Sequence, residues 1–205
     1  MTGKFIIIEG DDGAGKTTFV NHLKMMHPEY LYSREPGGSA VSERVREILL
    51  SDEGKEIDPL TRFHLFWASR AENLKKVIVP GLERGRVVVT DRFDASTYAF
   101  QIWGDGEESL EPLFWKTRAE HLNGLEPCYI YFTVPTQVAE ARRDARQEHN
   151  HFDLREREYR ERVDRGYEAF FASRRVGGDI VTFNADLPKQ DMLEIAYKLL
   201  RRVIG

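Results

Sequence analysis

The chain has 205 residues, 31% charged and 41% hydrophobic, with 16 Gly, 8 Pro, one Cys and a net charge of −4. That usage excludes a collagenous, low-complexity or disordered chain. The lone Cys128 excludes an intrachain disulfide, and the acidic balance argues against general nucleic-acid or acidic-membrane binding.

Residues 4–9 open the chain as a strand, Lys4-Phe5-Ile6-Ile7-Ile8-Glu9. The run is continuous rather than alternating, as for a strand buried on both faces. No apolar run approaches the roughly 20 residues of a membrane-spanning helix. No signal-peptide pattern precedes the strand, so a cytoplasmic protein is expected. Helical periodicity follows over 16–26, a strand over 30–33, and helices over 40–50 and 60–83. The strand at 87–91 leads to helices over 95–102 and 113–123. The strand at 129–134 leads to helices over 137–146 and 153–174, and the strand at 180–183 to a last helix over 188–203. No repeat or linker interrupts this alternation, so residues 1–205 are expected to form one domain. Strand–helix alternation predicts an α/β fold: a five-stranded parallel sheet with helices on both faces. Ligands of such sheets sit at the carboxyl ends of the strands.

After the first strand comes Gly10-Asp11-Asp12-Gly13-Ala14-Gly15-Lys16-Thr17, followed by Thr18. It matches the pattern G-x-x-x-x-G-K-[ST] between a strand and a helix. Glycines let backbone N–H groups curl around phosphate oxygens, and the helix N-terminus adds positive potential. Lys16 supplies a charge to the β and γ phosphates, and Thr17 a hydroxyl to Mg²⁺. A chance glycine-rich turn is the competing reading, and the strand–turn–helix context disfavours it. The motif specifies a nucleoside triphosphate with Mg²⁺ and no more. No Asn is followed by Lys, so the base-reading segment of a GTPase is absent. Val87-Val88-Val89-Thr90-Asp91 places a carboxylate at a strand end, suited to holding Mg²⁺, and Arg92 beside it suggests a second anion.

These motifs occur in order with Arg34-Glu35-Pro36-Gly37-Gly38-Ser39, Phe66-Trp67-Ala68-Ser69-Arg70 and Asp91-Arg92-Phe93. With them the chain resembles the thymidylate kinase family from residue 4 to its end, most densely before residue 105. The resemblance implies a P-loop kinase that transfers phosphate from ATP to dTMP, giving dTDP and ADP, and that works as a homodimer. Phe66 and Arg70, four apart, share a helix face. By resemblance Phe66 stacks on thymine and Arg70 donates to its carbonyl, which favours the O4 of thymine over the amino group of cytosine. Thr97 and Gln101 are placed against base and sugar. Phe100 stands where family members often have Tyr, its ring toward the ribose 2′ position. Asp12 matches an acidic position near the acceptor. Arg92 matches the arginine that grips the acceptor phosphate with its planar fork, with Arg34 in support. Glu9 reads as a strand-end helper or a structural residue.

In the bacterial-type branch of the family a lid supplies the catalytic arginine and the P-loop carries Gly. Gly13 matches that glycine, and Arg146 with Arg142 matches the lid pair, in a lid around 142–153. Asn150-His151 departs from the Asp-Arg that the family often has there. A metal pair at His149 and His151 lacks supporting ligands. The arginine-rich stretch 155–175 contains Glu156–Arg160, Glu158–Arg162 and Glu161–Arg165 at i,i+4, so a solvated helix is expected there. Two alternatives stay open: a kinase for another nucleoside monophosphate, and a nucleotide-binding module without catalysis.

Overall fold

The computed structural model describes residues 3–145 and 157–204. Five strands, β1 (Lys4–Gly10), β2 (Leu31–Arg34), β3 (Val87–Asp91), β4 (Cys128–Thr133) and β5 (Ile180–Asn184), form one sheet in the order β2-β3-β1-β4-β5. Every pairing is parallel. The apolar run of β1 is explained by its two faces. Phe5 and Ile7 feed one core with Val88, Tyr129 and Tyr131. Ile6 and Ile8 feed a second core with Val89, Ile130 and Phe132.

Helices α1 (Lys16–Met26) and α9 (Lys189–Ile204) cover the second core, through Phe19, Leu23, Met192 and Leu200. The first core is covered by α3 (Pro59–Asn73), α6 (Glu111–His121) and α8 (Arg157–Ala172), through Phe63, Trp67, Phe114, Val163 and Phe170. Helices α2 (Ala40–Leu50), α4 (Val79–Glu83), α5 (Asp94–Thr97) and α7 (Thr136–Asp144) complete the connections. No helix of the described residues is long and apolar enough to cross a membrane.

Two helices depart from the expected spans. Residues 60–83 form α3, a π-helical segment Leu74–Ile78 and α4. Pro80 lacks an N–H to give to the carbonyl four residues back, and the Val79 amide bonds Leu74 O, five back. The helix predicted over 95–102 is α5 followed by a π-helical segment Tyr98–Gly104.

The solvated helix expected over 155–175 requires correction. Arg160 of α8 is 1% exposed and donates to Asp11 Oδ1 at 2.9 Å. Arg162 gives Nε and Nη2 to the Gly104 carbonyl. An exposed i,i+4 pair contributes only a few tenths of a kcal/mol, so burial partners win these arginines. Glu156 lies outside the described residues.

In register, Ile8 of β1 pairs with Asp91 of β3, so the turn after β1 and the residues after β3 meet. They meet where the connections diverge to either side of β1, the place for a ligand crevice in an open parallel sheet.

Candidate active site

The turn after β1 curls through three positive-φ glycines, Gly10 (143°), Gly13 (89°) and Gly15 (95°), and Gly15 caps α1. A Cβ on Gly13 would collide with the Ala139 carbonyl of α7, so only glycine lets α7 rest on the loop. Lys16 folds back over the loop, and its Nζ donates to Asp11 O at 2.8 Å. Burial and the neighbouring Arg92 depress the ammonium, and three aspartates only partly oppose them, leaving its pKa at about 8.

Thr17 Oγ1 donates to Asp91 Oδ2 at 3.2 Å. A hydroxyl and a carboxylate thus stand together beside the cradle. Two hard oxygen donors suit Mg²⁺, which keeps waters and phosphate oxygens for its other positions.

Arg92 follows Asp91 in a left-handed backbone conformation, φ 68°. Its Nη2 bonds Asp12 Oδ1 at 2.5 Å. Burial would raise Asp12, but Arg92, Lys16 and Arg160 outweigh it and hold the carboxyl well below the usual range. Glu9, fully buried, accepts from the Phe93 and Ser96 amides and the Ser96 hydroxyl. Burial raises Glu9, with Arg92 and the Ser96 bond opposing.

These groups open onto a cavity of about 300 Å³. Asp12, Gly13, Gly15, Lys16, Thr17 and Thr18 line its cradle end, with Asp91 and Arg92 beside them. Phe66, Arg70, Thr97, Phe100 and Gln101 line the same cavity, and Arg34 lines it too. Arg70 is held by Glu35 Oε2 (2.6 Å), the Phe93 carbonyl and Thr97 Oγ1, while its buried Nη1 has no partner. Both amide atoms of Gln101 are likewise buried without a partner. Burial lifts Glu35 to about 7 against the pull of Arg70. The Arg92 guanidinium lies 5.0 Å from the Phe100 ring centre. Arg34 is paired with Glu43 at 2.8 Å and is more than half exposed.

Other predicted residues sit elsewhere. Gly10 and Ala14 shape the loop but do not line this cavity. The Asp11 carboxylate binds Arg143 and Arg160 and does not line this cavity, and the Asp11 backbone carbonyl accepts from Lys16. Arg142 donates to the Gly13 and Ala185 carbonyls and does not line this cavity. Arg146, His149, His151 and most of the expected lid lie outside the described residues.

The sequence reading passed over Glu35, Arg46, Leu50 and Ser96, which line the cavity, and Tyr167, which bonds Arg92 at 3.0 Å. A carboxylate in Arg34-Glu35-Pro36-Gly37-Gly38 was a usable signal. Tyr167 carried none, because its hydrogen-bond partners lie 71 residues away and more.

A glycine cradle with its lysine, a hydroxyl–carboxylate pair and an arginine further along the same cavity define a P-loop phosphotransferase. Residues 8–194 match the thymidylate kinase family. A thymidylate kinase from an Exiguobacterium species is 37% identical over 178 residues, 82% of this chain and 81% of that one. One from Geobacillus thermodenitrificans is 33% identical and covers 100% of this chain and 93% of its own. The crystal structure of thymidylate kinase from Ehrlichia chaffeensis superposes with a TM-score of 0.72 at 25% identity, covering 98% of this chain and 99% of that one. The chain belongs to the thymidylate kinase family.

Proposed function

We propose that this chain transfers the γ-phosphate of ATP to dTMP, giving dTDP and ADP. One observation carries the reading. A single cavity joins a triphosphate cradle to a pocket whose buried Arg70 Nη1 and Gln101 amide have no protein partner. An unsatisfied buried polar group costs about 1–3 kcal/mol, and a pyrimidine edge bearing O4 and N3–H satisfies both. Phe66 supplies a stacking face and Thr97 further polar contact.

The acceptor is a phosphate monoester, already anionic, so no strong general base is needed. Catalysis rests on positioning and charge neutralisation. Lys16 neutralises charge on the transferring group. Thr17 and Asp91 would hold Mg²⁺, which would supply neutralising charge for the ATP phosphates. Arg92 grips the acceptor phosphate, Asp12 sets the neighbouring charge, and Arg34 supports the phosphate region. By the family's pattern Arg146 and Arg142 are the lid pair; Arg142 donates to the Gly13 and Ala185 carbonyls, so the role of charge partner to the transferring phosphoryl falls to Arg146. The family also supports a cytoplasmic, single-domain enzyme that acts as a homodimer on these two nucleotides, with no nucleic acid or membrane as partner.

The test is coupled ADP release with dTMP, dUMP, dCMP, dGMP and AMP as acceptors. Turnover should be highest with dTMP and lowest with the purines and dCMP. Equal rates with dCMP would point to a broader monophosphate kinase, and no turnover with any acceptor to a silent nucleotide-binding module.

A further inference from the structure

Arg92 is the one described residue other than glycine with a positive φ, and its surroundings hold it there. Its amide donates to Ile8 O at 2.9 Å, its carbonyl accepts from Thr90 Oγ1 at 3.0 Å, and the next amide, Phe93, donates to Glu9 Oε1. The side chain is held as firmly. Nη1 donates to Ser96 Oγ (2.9 Å), Tyr167 Oη (3.0 Å) and Gly10 O (3.1 Å). Both hydroxyls then keep a proton to pass on. Ser96 Oγ donates to Glu9 Oε2 at 2.7 Å, and Tyr167 Oη lies 3.2 Å from the same oxygen and 3.1 Å from the Gly10 carbonyl.

Glu9 is thus tied to Arg92 through two hydroxyls rather than directly. A direct carboxylate would occupy the guanidinium fork that a phosphate needs. Two neutral hydroxyls fix one edge of the fork and leave the rest of it to Asp12 and an incoming anion. Tyr167 is itself rigid: fully buried, it stacks on Tyr131 at 5.2 Å and meets the Phe100 ring edge-on at 6.1 Å.

We propose that Tyr167 and Glu9 are positioning residues for Arg92, setting the guanidinium that holds the acceptor phosphate. This rests on the reading of Arg92 as the acceptor-phosphate residue. Tyr167 acts from α8, a helix distant in sequence from both the P-loop and Arg92.

Thymidine, which lacks the phosphate, separates positioning from general damage. Calorimetric dissociation constants for dTMP and thymidine are measured on the wild type, Tyr167→Phe, Glu9→Gln, Arg92→Ala and the double variant Tyr167→Phe/Arg92→Ala. Tyr167→Phe keeps the ring packing and removes one oxygen. It should weaken dTMP about tenfold, the scale of one charge-assisted hydrogen bond. Thymidine binding and KM for ATP should stay within twofold. Glu9→Gln should act in the same direction, and if it fails to fold, Tyr167→Phe still decides. The double variant should bind dTMP no more weakly than Arg92→Ala alone, because Tyr167 acts through Arg92. Equal weakening of dTMP and thymidine by Tyr167→Phe, or additive losses in the double variant, would overturn the proposal. If Arg92→Ala leaves the preference for dTMP over thymidine unchanged, the reading of Arg92 falls instead.

Discussion

Lys16 combines enclosure with charge. The residue is 5% exposed, and one arginine and three aspartates act on its ammonium. Burial and Arg92 bring its pKa to about 8 from the ordinary 10.5. The sign is that of a cation destabilised by its surroundings: it is protonated below that value and neutral above. A bound triphosphate adds negative charge beside it and draws the proton back. ATP binding at pH 8 should therefore take up as much as about half a proton, and at pH 6.5 almost none. Calorimetry in buffers of different ionisation enthalpy measures this directly. Buffer-independent heats at pH 8, or equal uptake in Lys16→Met, would show that Lys16 is not the titrating group. Arg70 illustrates the opposite arrangement: its Nε and Nη2 are committed to the protein, and the remaining Nη1 is buried without a protein partner.

Among the elements, α8 packs closely on the π-helical Tyr98–Gly104 segment, and two glycines permit it. An added Cβ on Gly166 would sit 2.8 Å from Ala99 Cα and from Trp103 Cβ. One on Gly104 would meet Tyr159 and Val163 of α8 at 2.9 Å. This contact brings Tyr167, next to Gly166, onto Arg92. Gly166→Ala sets two effects against each other. Helix propensity favours alanine by about 1 kcal/mol, whereas overpacking costs about 1–3 kcal/mol. The obstruction is partly backbone, which cannot rotate aside, so a net loss of about 1–2 kcal/mol is expected. It should appear as a lower urea midpoint with an unchanged m-value. An unchanged or higher midpoint would mean the two segments separate freely.

For the whole molecule, an exposed apolar line on α2 bears on assembly. Val41 and Ile48, seven residues apart, are 55% and 50% exposed, and Leu60 at the start of α3 is 45% exposed. Single exposed apolar side chains are ordinary, but two on one helix face suit a second copy of the chain. In the proposed homodimer, Val41→Glu with Ile48→Glu would bury unpaired charge and should yield a monomer in sedimentation velocity, where the wild type should sediment as a dimer. A monomeric wild type at micromolar concentration would remove the assembly from the reading.

Features with a local physical cause were legible in the sequence. A strand covered on both faces must be apolar at successive positions, so Phe5 to Ile8 announced a central parallel strand. A phosphate cradle needs glycines at set spacing, so Gly10 to Thr17 announced the site, and the motif order announced the family. Partner choice was not local. Asp11 looked like one more cradle residue, yet a buried carboxylate demands cations. The packing of α7 and α8 over the loop supplies them as Arg143 and Arg160, 132 and 149 residues away. The left-handed Arg92, its bond to Tyr167 and the unpartnered edge of Arg70 likewise come from how helices cross the sheet end. Composition and periodicity determine which face of an element is buried. Which groups then meet across the crevice, and so which hydrogen bonds remain for a ligand, was decided only by the tertiary packing, because a buried polar group takes whatever partner the fold brings within reach.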